Sequence, residues 1–172
     1  MKDVILTSDR VIVLDQGLAS TIHNKGYFGS FQDSRLELSF EEAAYLCEKK
    51  ELPIYGRDGK KLNFKQFITY AEKKQRRFWT RYCVFRDMRS SGYILKTAFK
   101  YGGDFRVYKK GDYPGKAHAE WILYVSEEND SIKFSSFAAI NRVAHSVKKR
   151  VLFGVVDNED SVTYYEIKWV KI

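Results

Sequence analysis

Cysteine is scarce in this sequence, and the two that occur, Cys47 and Cys83, lie far apart without a CxxC spacing. A disulfide framework or a cysteine-ligated zinc site requires more numerous or more closely spaced cysteines, so neither is expected. The three histidines, His23, His118 and His145, are also widely separated and form no HxxxH pair. We therefore expect two buried thiols in a reducing compartment and no metal site.

A compact carboxylate cluster is also missing, apart from the turn Asp157–Asp160. Metal-dependent nucleases gather several carboxylates around their ions, so this absence argues against a metal-dependent DNA nuclease. The sequence has no P-loop motif, no GxGxxG that opens a helix and no nucleophile-elbow serine. Nucleotide-cofactor and serine-hydrolase chemistry are therefore not indicated, and no cofactor is expected.

Long apolar runs are absent as well. The N-terminus, MKDVILTSDRVIVLD, has no stretch long enough for a signal peptide, and no segment of the sequence is apolar enough to span a bilayer. We expect no membrane partner and a cytoplasmic location.

Positive charge and aromatic side chains are plentiful. The chain of 172 residues carries 30 Lys and Arg against 22 Asp and Glu, a net charge of +8. This balance favours an anionic partner, with nucleic acid ahead of a membrane surface. Hydrophobic residues make up 44% of the chain, enough for one medium domain or two small ones with packed cores.

The first half of the chain mixes strands and helices. Short β-branched runs over residues 3–15 predict a small antiparallel meander. Ser39 and Glu42 have the spacing of a capping box and predict a helix, and LPIYGRDGKKL predicts a hairpin. From Asn63, apolar residues at three-to-four spacing predict one long helix that ends at Ser90-Ser91-Gly92.

The second half is richer in strands. Strands are expected in YILKTAF, FRVY, AEWILYV and IKF, followed by an amphipathic helix in SSFAAINRVAHSVKKR. VLFGVVD then predicts a buried strand, and VTYYEIKWVKI predicts a long terminal one. We place the domain boundary inside the long helix, which gives an α+β chain with domains at 1–78 and 79–172.

Three chemically active side chains can converge on one sheet edge in this arrangement. Tyr108 ends a strand, His118 begins the next, and Lys148-Lys149 close the helix before the buried strand. Such a trio suits metal-free cleavage of RNA, in which a 2′-hydroxyl attacks the neighbouring phosphate. Histidine is the natural acid, and a tyrosine serves as the base where cations such as Lys109 and Lys110 lie nearby. A solvated basic loop is the alternative that these residues alone leave open.

Several ordered blocks of the sequence resemble the archaeal tRNA-intron splicing endonucleases. The blocks are GYILKTAFKYGGDFRVYKKG, KAHAEWILYV and RVAHSVKKRVLFGVVDNEDSVTYY, with looser agreement in DRVIVLD and LELSFEEAAYL. The resemblance implies a mixed α/β N-terminal domain and a restriction-endonuclease-like C-terminal domain with a central mixed sheet flanked by helices. It also implies a subunit of a tetramer.

The resemblance also implies roles for individual residues. Tyr108 would be the base, His118 the acid and Lys149 the transition-state cation. Tyr113 lies in the same loop as Tyr108 and is an alternative base. Lys148 adjoins Lys149, but one residue of helix turns it about 100° away, so only one lysine should face the site.

Arg142 matches one of two side chains with which the family grips a flipped RNA base. Trp169 is the candidate for the second, because an indole can stack on a base, and a core or interface role is its alternative. His145 lies on the same helix as Arg142 and is interpreted as structural. Asp157 and Asp160 belong to an acidic turn that, by resemblance, inserts into a neighbouring subunit.

The expected activity is excision of introns from precursor tRNA at bulge-helix-bulge sites, leaving 2′,3′-cyclic phosphate and 5′-hydroxyl ends. The tetramer would contain four copies of this chain or include a second endonuclease subunit, and its terminal strand would pair with a symmetry mate. A non-catalytic RNA-binding subunit is the alternative within the same family, and a plain basic binding module is the alternative outside it.

Overall fold

The computed structural model describes residues 3–170 and 172, which divide into one unit up to Tyr82 and a second from Cys83. The first unit contains strands β1 (Val4–Leu6), β2 (Val11–Val13), β3 (Ser30–Gln32), β4 (Arg35–Leu38), β5 (Ile54–Tyr55) and β6 (Lys61–Leu62), with helices α1 (Gln16–Gly26), α2 (Phe40–Glu48) and α3 (Phe64–Lys74). Helix α4 (Phe78–Ser90) runs through the boundary. The second unit contains β7 (Ile94–Thr97), β8 (Phe105–Tyr108), β9 (Trp121–Glu127), α5 (Phe134–Ser146), β10 (Arg150–Val156) and β11 (Val162–Ile167).

The first unit is built on an antiparallel sheet with strand order β1-β2-β4-β3. The predicted meander in residues 3–15 is confirmed by the pairing of β1 with β2, and the predicted hairpin by the pairing of β5 with β6. Helix α1 was not predicted from the sequence. Its start is nevertheless marked by Asp15, whose carboxylate accepts a hydrogen bond from the Leu18 N–H at 2.6 Å.

The predicted capping box of α2 is confirmed. Ser39 Oγ accepts from the Glu42 N–H at 3.2 Å, and Glu42 accepts from the Ser39 N–H at 3.0 Å. The second carboxylate oxygen of Glu42 accepts from the Gly29 N–H at 2.9 Å, so this buried side chain also fixes the turn before β3. Both oxygens therefore have backbone donors, which allows the carboxylate to be buried.

The prediction of one long helix from Asn63 to Ser90 is wrong, because α3 ends at Lys74 and α4 begins at Phe78. Between them Gln75 is extended, and Arg77 has a left-handed φ of 57°. The apolar periodicity continued across the break because both helices pack against one ring. Phe40 contacts Phe67 of α3 at 5.7 Å and Phe78 of α4 at 6.4 Å between ring centroids.

The second unit is built on a five-stranded mixed sheet with order β11-β10-β9-β8-β7, in which β9 and β10 are parallel and the other neighbours antiparallel. Helix α4 covers one face, where the Phe85 and Phe105 rings lie 5.7 Å apart. Helix α5 covers the other, where Ala144 packs with Ile122 and Val151. The predicted α+β class, with a mixed sheet and helices on it, is confirmed.

Three boundaries in the second unit differ from those predicted. The segment Ile132–Phe134 is not a strand, because Phe134 already begins α5 in the crossover between the parallel strands β9 and β10. The terminal strand ends at Ile167, and Lys171, within its predicted extension, lies outside the described residues. Helix α5 ends at Ser146, so Lys148 and Lys149 follow the helix and do not close it.

No helix in the described part of the chain is long and apolar enough to cross a membrane.

Candidate active site

The sheet topology of the second unit brings the predicted Tyr, His and Lys segments to one edge. Tyr108 is the last residue of β8, His118 lies three residues before β9 begins, and Lys149 directly precedes β10. Strand β8 is antiparallel to β9, and β9 is parallel to β10. The end of β8 and the starts of β9 and β10 therefore lie side by side.

The backbone of Glu120 joins these three segments. Its N–H donates to the carbonyl of Val107 at 2.9 Å, and its carbonyl accepts from the N–H of Arg150 at 2.9 Å. Tyr108 follows Val107, and Lys149 precedes Arg150. The spacing between the base and cation candidates is thus set by sheet hydrogen bonds and not by a flexible loop.

Lys149 makes the most direct contact with the His118 segment. Its Nζ donates to the carbonyl of Ala119, the residue after His118, at 3.1 Å. Its backbone N–H donates to the carbonyl of Ala144 at 2.9 Å, which holds the segment against the end of α5. The ammonium group therefore lies beside the backbone that carries the histidine.

Lys148 is separated from Lys149 by backbone conformation and not by a turn of helix. It has a left-handed φ of 53° and lies beyond the end of α5, so the expected rotation of 100° along a helix does not apply. Lys148 is exposed and Lys149 is half-buried.

The candidate acid and base differ in exposure. His118 is exposed, whereas Tyr108 is 4% exposed. Tyr113, the alternative base, is half-buried in the loop between β8 and β9, where its carbonyl accepts from the N–H groups of Lys116 and Ala117 at 3.1 Å each. The ammonium of Lys116 lies 5.6 Å from the centroid of the Tyr113 ring. Tyr113 thus contributes to the structure of the loop, and Tyr108 belongs to the sheet.

An open cleft of about 590 Å³ lies at this edge and is lined by Glu120, His145, Ser146, Lys148, Lys149 and Arg150. Glu120 forms ion pairs with Lys109 at 3.4 Å and with Arg150 at 3.2 Å. Cations outnumber the single carboxylate in the lining, so the cleft suits an anionic group such as a phosphodiester.

A smaller cavity of about 230 Å³ shares Lys149 and His145 with this cleft and is lined in addition by Trp169. Trp169 is 64% exposed, and its ring meets that of His145 edge to face at 5.0 Å. Arg142 is exposed on α5 and lines neither cavity. His145, interpreted from the sequence as structural, is exposed and lines both cavities, and its role stays a prediction.

The acidic turn between β10 and β11 is organised by Asp157. Its Oδ1 accepts from the N–H groups of Glu159 and Ser161 at 2.9 Å each. Asp160 has a left-handed φ of 61°. Its carboxylate lies close to the buried Cys83 thiol. The pKa of that thiol is raised to about 12, first by the burial of the thiol and second by the negative charge of Asp160.

Sequence reasoning missed a second charged group at the same edge. Glu166 accepts from the indole N–H of Trp121 at 2.7 Å and pairs with Lys168 at 3.1 Å and with Arg150 at 3.4 Å. The hydrogen bond from Trp121, followed by those from Lys168 and Arg150, lowers the pKa of Glu166 to about 2. Only the proximity of Glu120 and Trp121 to His118 in the sequence could have drawn attention to this group.

Among residues 3–170 and 172, no group of three or more His, Cys, Asp or Glu side chains lies close enough together to hold a metal ion.

Comparison with known proteins identifies the family. Residues 78–164 match the model of the tRNA intron endonuclease catalytic C-terminal domain, and residues 3–68 match that of the tRNA intron endonuclease N-terminal domain. The chain belongs to the tRNA intron endonuclease family. The resemblance stated from the sequence is thereby confirmed, and the candidate edge lies within the catalytic-domain match.

Curated archaeal relatives extend the match over nearly the whole chain. A tRNA-splicing endonuclease of Methanothermobacter thermautotrophicus is 37% identical over 166 residues, which cover 96% of both chains. One of Thermococcus kodakarensis is 38% identical over 167 residues, again 96% of both chains. One of Pyrococcus furiosus is 38% identical over 176 residues, 99% of both chains. Both units therefore have counterparts in tRNA intron endonucleases.

Proposed function

We propose that this chain excises tRNA introns by metal-free transesterification at bulge-helix-bulge sites, with Tyr108, His118 and Lys149 as the catalytic residues. Tyr108 takes the proton of the ribose 2′-hydroxyl, whose oxygen attacks the adjacent phosphorus. The bond from phosphorus to the 5′-oxygen breaks, and His118 gives its proton to that oxygen. The products are a 2′,3′-cyclic phosphate and a 5′-hydroxyl.

One observation carries the proposal: the sheet register brings all three segments to one edge, where Lys149 Nζ is bonded to the carbonyl next to His118. A cation held there can stabilise the charge that develops on the non-bridging phosphate oxygens. The basic cleft beside it supplies further positive charge for the RNA backbone.

The rest of the proposed complex involves residues outside this trio. Arg142 and Trp169 would hold a flipped base of the RNA, and the exposure of both side chains is compatible with that role. The turn that contains Asp157 and Asp160 would bind a neighbouring subunit. One catalytic set per chain means that cutting both intron ends needs two sets at a fixed distance, so we propose a tetramer of this chain or one with a second endonuclease subunit.

The proposed function is tested with an end-labelled precursor tRNA that carries a bulge-helix-bulge, incubated with the purified chain in EDTA. We expect cleavage with cyclic-phosphate and 5′-hydroxyl ends. Cleavage that requires added magnesium contradicts the metal-free chemistry. If the chain cleaves only with an added endonuclease subunit, the heteromeric form of the proposal holds and the homotetramer does not.

Matched variants test the residue assignment, because each proposed residue has a neighbour of the same type. Tyr108→Phe and Lys149→Met should lower the single-turnover rate by about 10²–10⁴-fold, as removal of a group that transfers a proton or stabilises charge does. Tyr113→Phe and Lys148→Met are the controls and should change it by less than about tenfold. If the control variant of either pair lost more rate than its partner, the role of base or of cation would pass to the control residue.

A further inference from the structure

A third cavity lies on the opposite face of the same sheet edge. Its volume is about 370 Å³, and it is formed by α4 and the segment that follows it, by Lys110 in the loop after β8, and by residues of β8, β9, β10 and β11. This volume falls within the range of about 300–1,000 Å³ that is usual for small-ligand sites. Its lining includes Lys110, two residues after Tyr108, and Trp121, three residues after His118.

Aromatic rings form one wall of this cavity. Tyr93 and Trp121 are both half-buried, and their ring centroids lie 6.3 Å apart at an interplanar angle of 79°. The ammonium of Lys110 lies 5.0 Å from the centroid of the Tyr93 ring. Exposed aromatic faces with an adjacent cation form the type of surface on which nucleobases stack while the neighbouring phosphate meets the cation.

Trp121 in this wall is oriented by a charged network. Its indole N–H donates to Glu166 at 2.7 Å, and Glu166 is held in turn by Lys168 and Arg150. The orientation of the ring is therefore set before any ligand binds, which lowers the entropy cost of stacking.

The lining of the cavity also carries hydrogen-bond acceptors. Asp87 accepts from the hydroxyl of Tyr164 at 2.8 Å, and Glu166 faces the same space. Carboxylates repel a phosphate but accept from the exocyclic amino groups of a base. The cavity therefore suits a base directed inward, with its phosphate outside near Lys110.

We propose that the cavity bounded by Tyr93, Lys110 and Trp121 binds one nucleobase of the RNA substrate, next to the phosphate that is cleaved. The inference rests on the proposed function, since it places the RNA strand over the edge that carries Tyr108, His118 and Lys149. The strand would cross from the cleft on the α5 face to this cavity on the α4 face. The site would hold the scissile phosphate in position.

The proposal is tested by a thermodynamic cycle on binding. A series of bulge-helix-bulge RNAs, each with one abasic nucleotide near the cut, is titrated against the His118→Ala protein, which leaves the RNA intact. At one position, loss of the base should weaken binding about tenfold. The same loss should have no further effect when Tyr93→Leu is added, because the stacking partner is already absent.

Tyr45→Leu supplies the control, because Tyr45 also has a lysine ammonium over its ring, that of Lys49 at 5.6 Å, but lines no part of this cavity. In the Tyr45→Leu background the abasic effect should remain about tenfold. A second readout uses RNA with 2-aminopurine at the sensitive position. Its fluorescence should be quenched on binding and should recover in Tyr93→Leu and, in part, in Lys110→Gln, an exposed loop variant that leaves the aromatic wall in place.

The inference would be overturned if Tyr93→Leu and removal of the base weakened binding additively at every RNA position. It would also be overturned if the 2-aminopurine fluorescence were not quenched on binding to any of these proteins. If the unmodified chain still cleaves its substrate in that case, the proposed function stands without this site. If it neither binds nor cleaves the RNA, either alone or with an added endonuclease subunit, both fall.

Discussion

The carboxylate of Glu166 shows how one residue links the fold to pH. Its pKa in the folded chain, about 2, lies below the ordinary value of 4.5 because Trp121, Lys168 and Arg150 donate hydrogen bonds to it. Folding therefore favours the ionised form. The resulting stabilisation is fully present above about pH 4.5 and is lost as the pH falls toward 2.

We predict that Glu166→Gln lowers the free energy of unfolding at pH 6 and that its difference from wild type shrinks as the pH falls through 4.5. Urea unfolding between pH 3.5 and 7 measures this difference. Glu159→Gln, in the exposed turn, is the control. A Glu166→Gln difference that is constant over the whole range would show that the network does not stabilise the fold through ionisation.

The positions of residues relative to the strand ends could be predicted better than their hydrogen-bond partners. The placement of Tyr108, His118 and Lys149 at one sheet edge could be predicted because each adjoins a recognisable strand. The bond between Trp121 and Glu166 could not be found, because its partners are 45 residues apart and meet only through the register of β9, β10 and β11. Local patterns do not encode that register.

At the scale of elements, α2 and α3 begin with the same type of cap in different surroundings. Ser39 and Glu42 form a capping box in which Glu42 is buried and also bonds Gly29. Asn63 and Gln66 form one in which both residues are exposed. A buried box leaves unpaired polar groups away from water when it is broken, so it should contribute more.

We predict that Ser39→Ala lowers the free energy of unfolding by about 1–2 kcal/mol and Asn63→Ala by about 0.5–1 kcal/mol. Urea titrations with a common slope measure both. Ser39→Thr keeps the hydroxyl acceptor and should recover most of the loss. An equal or larger effect at Asn63 would contradict the argument from burial.

Element types were predicted well wherever a cap and a periodic pattern agreed, as in α2. The break between α3 and α4 was missed because Ala71 and Phe78, seven residues apart, keep the same helical phase across the polar residues 72–77, while the backbone is not helical throughout. Aromatic rings of both helices pack against Phe40. The apolar pattern therefore reflects a packing partner that the two helices share, and not one continuous helix. Helix α1 was missed although Asp15 marks its start.

At the scale of the whole molecule, the acidic turn offers a test of assembly. Asp157→Asn keeps an oxygen that can accept the two turn hydrogen bonds, and asparagine tolerates the left-handed backbone of Asp160. The double variant therefore removes charge while it preserves the turn. If this turn binds a basic surface of a neighbouring subunit, neutralising it should weaken that contact.

We predict that Asp157→Asn with Asp160→Asn shifts the proposed tetramer toward dimers in analytical ultracentrifugation, and that added salt does the same to the wild type. The matched control is Asp58→Asn with Asp33→Asn, because Asp58 also accepts a turn hydrogen bond and Asp33 also has a left-handed φ, of 45°. An unchanged mass for the acidic-turn variant would remove that turn from the interface.

The central claim is that His118 and Tyr108 divide acid and base chemistry at one sheet edge. It is tested most directly by single-turnover cleavage of an RNA in which sulfur replaces the leaving 5′-oxygen at the cut. A thiolate leaves without protonation, so the account predicts that this substrate restores a near wild-type rate to His118→Ala but not to Tyr108→Phe. Equal rescue of both variants, or of neither, would contradict it.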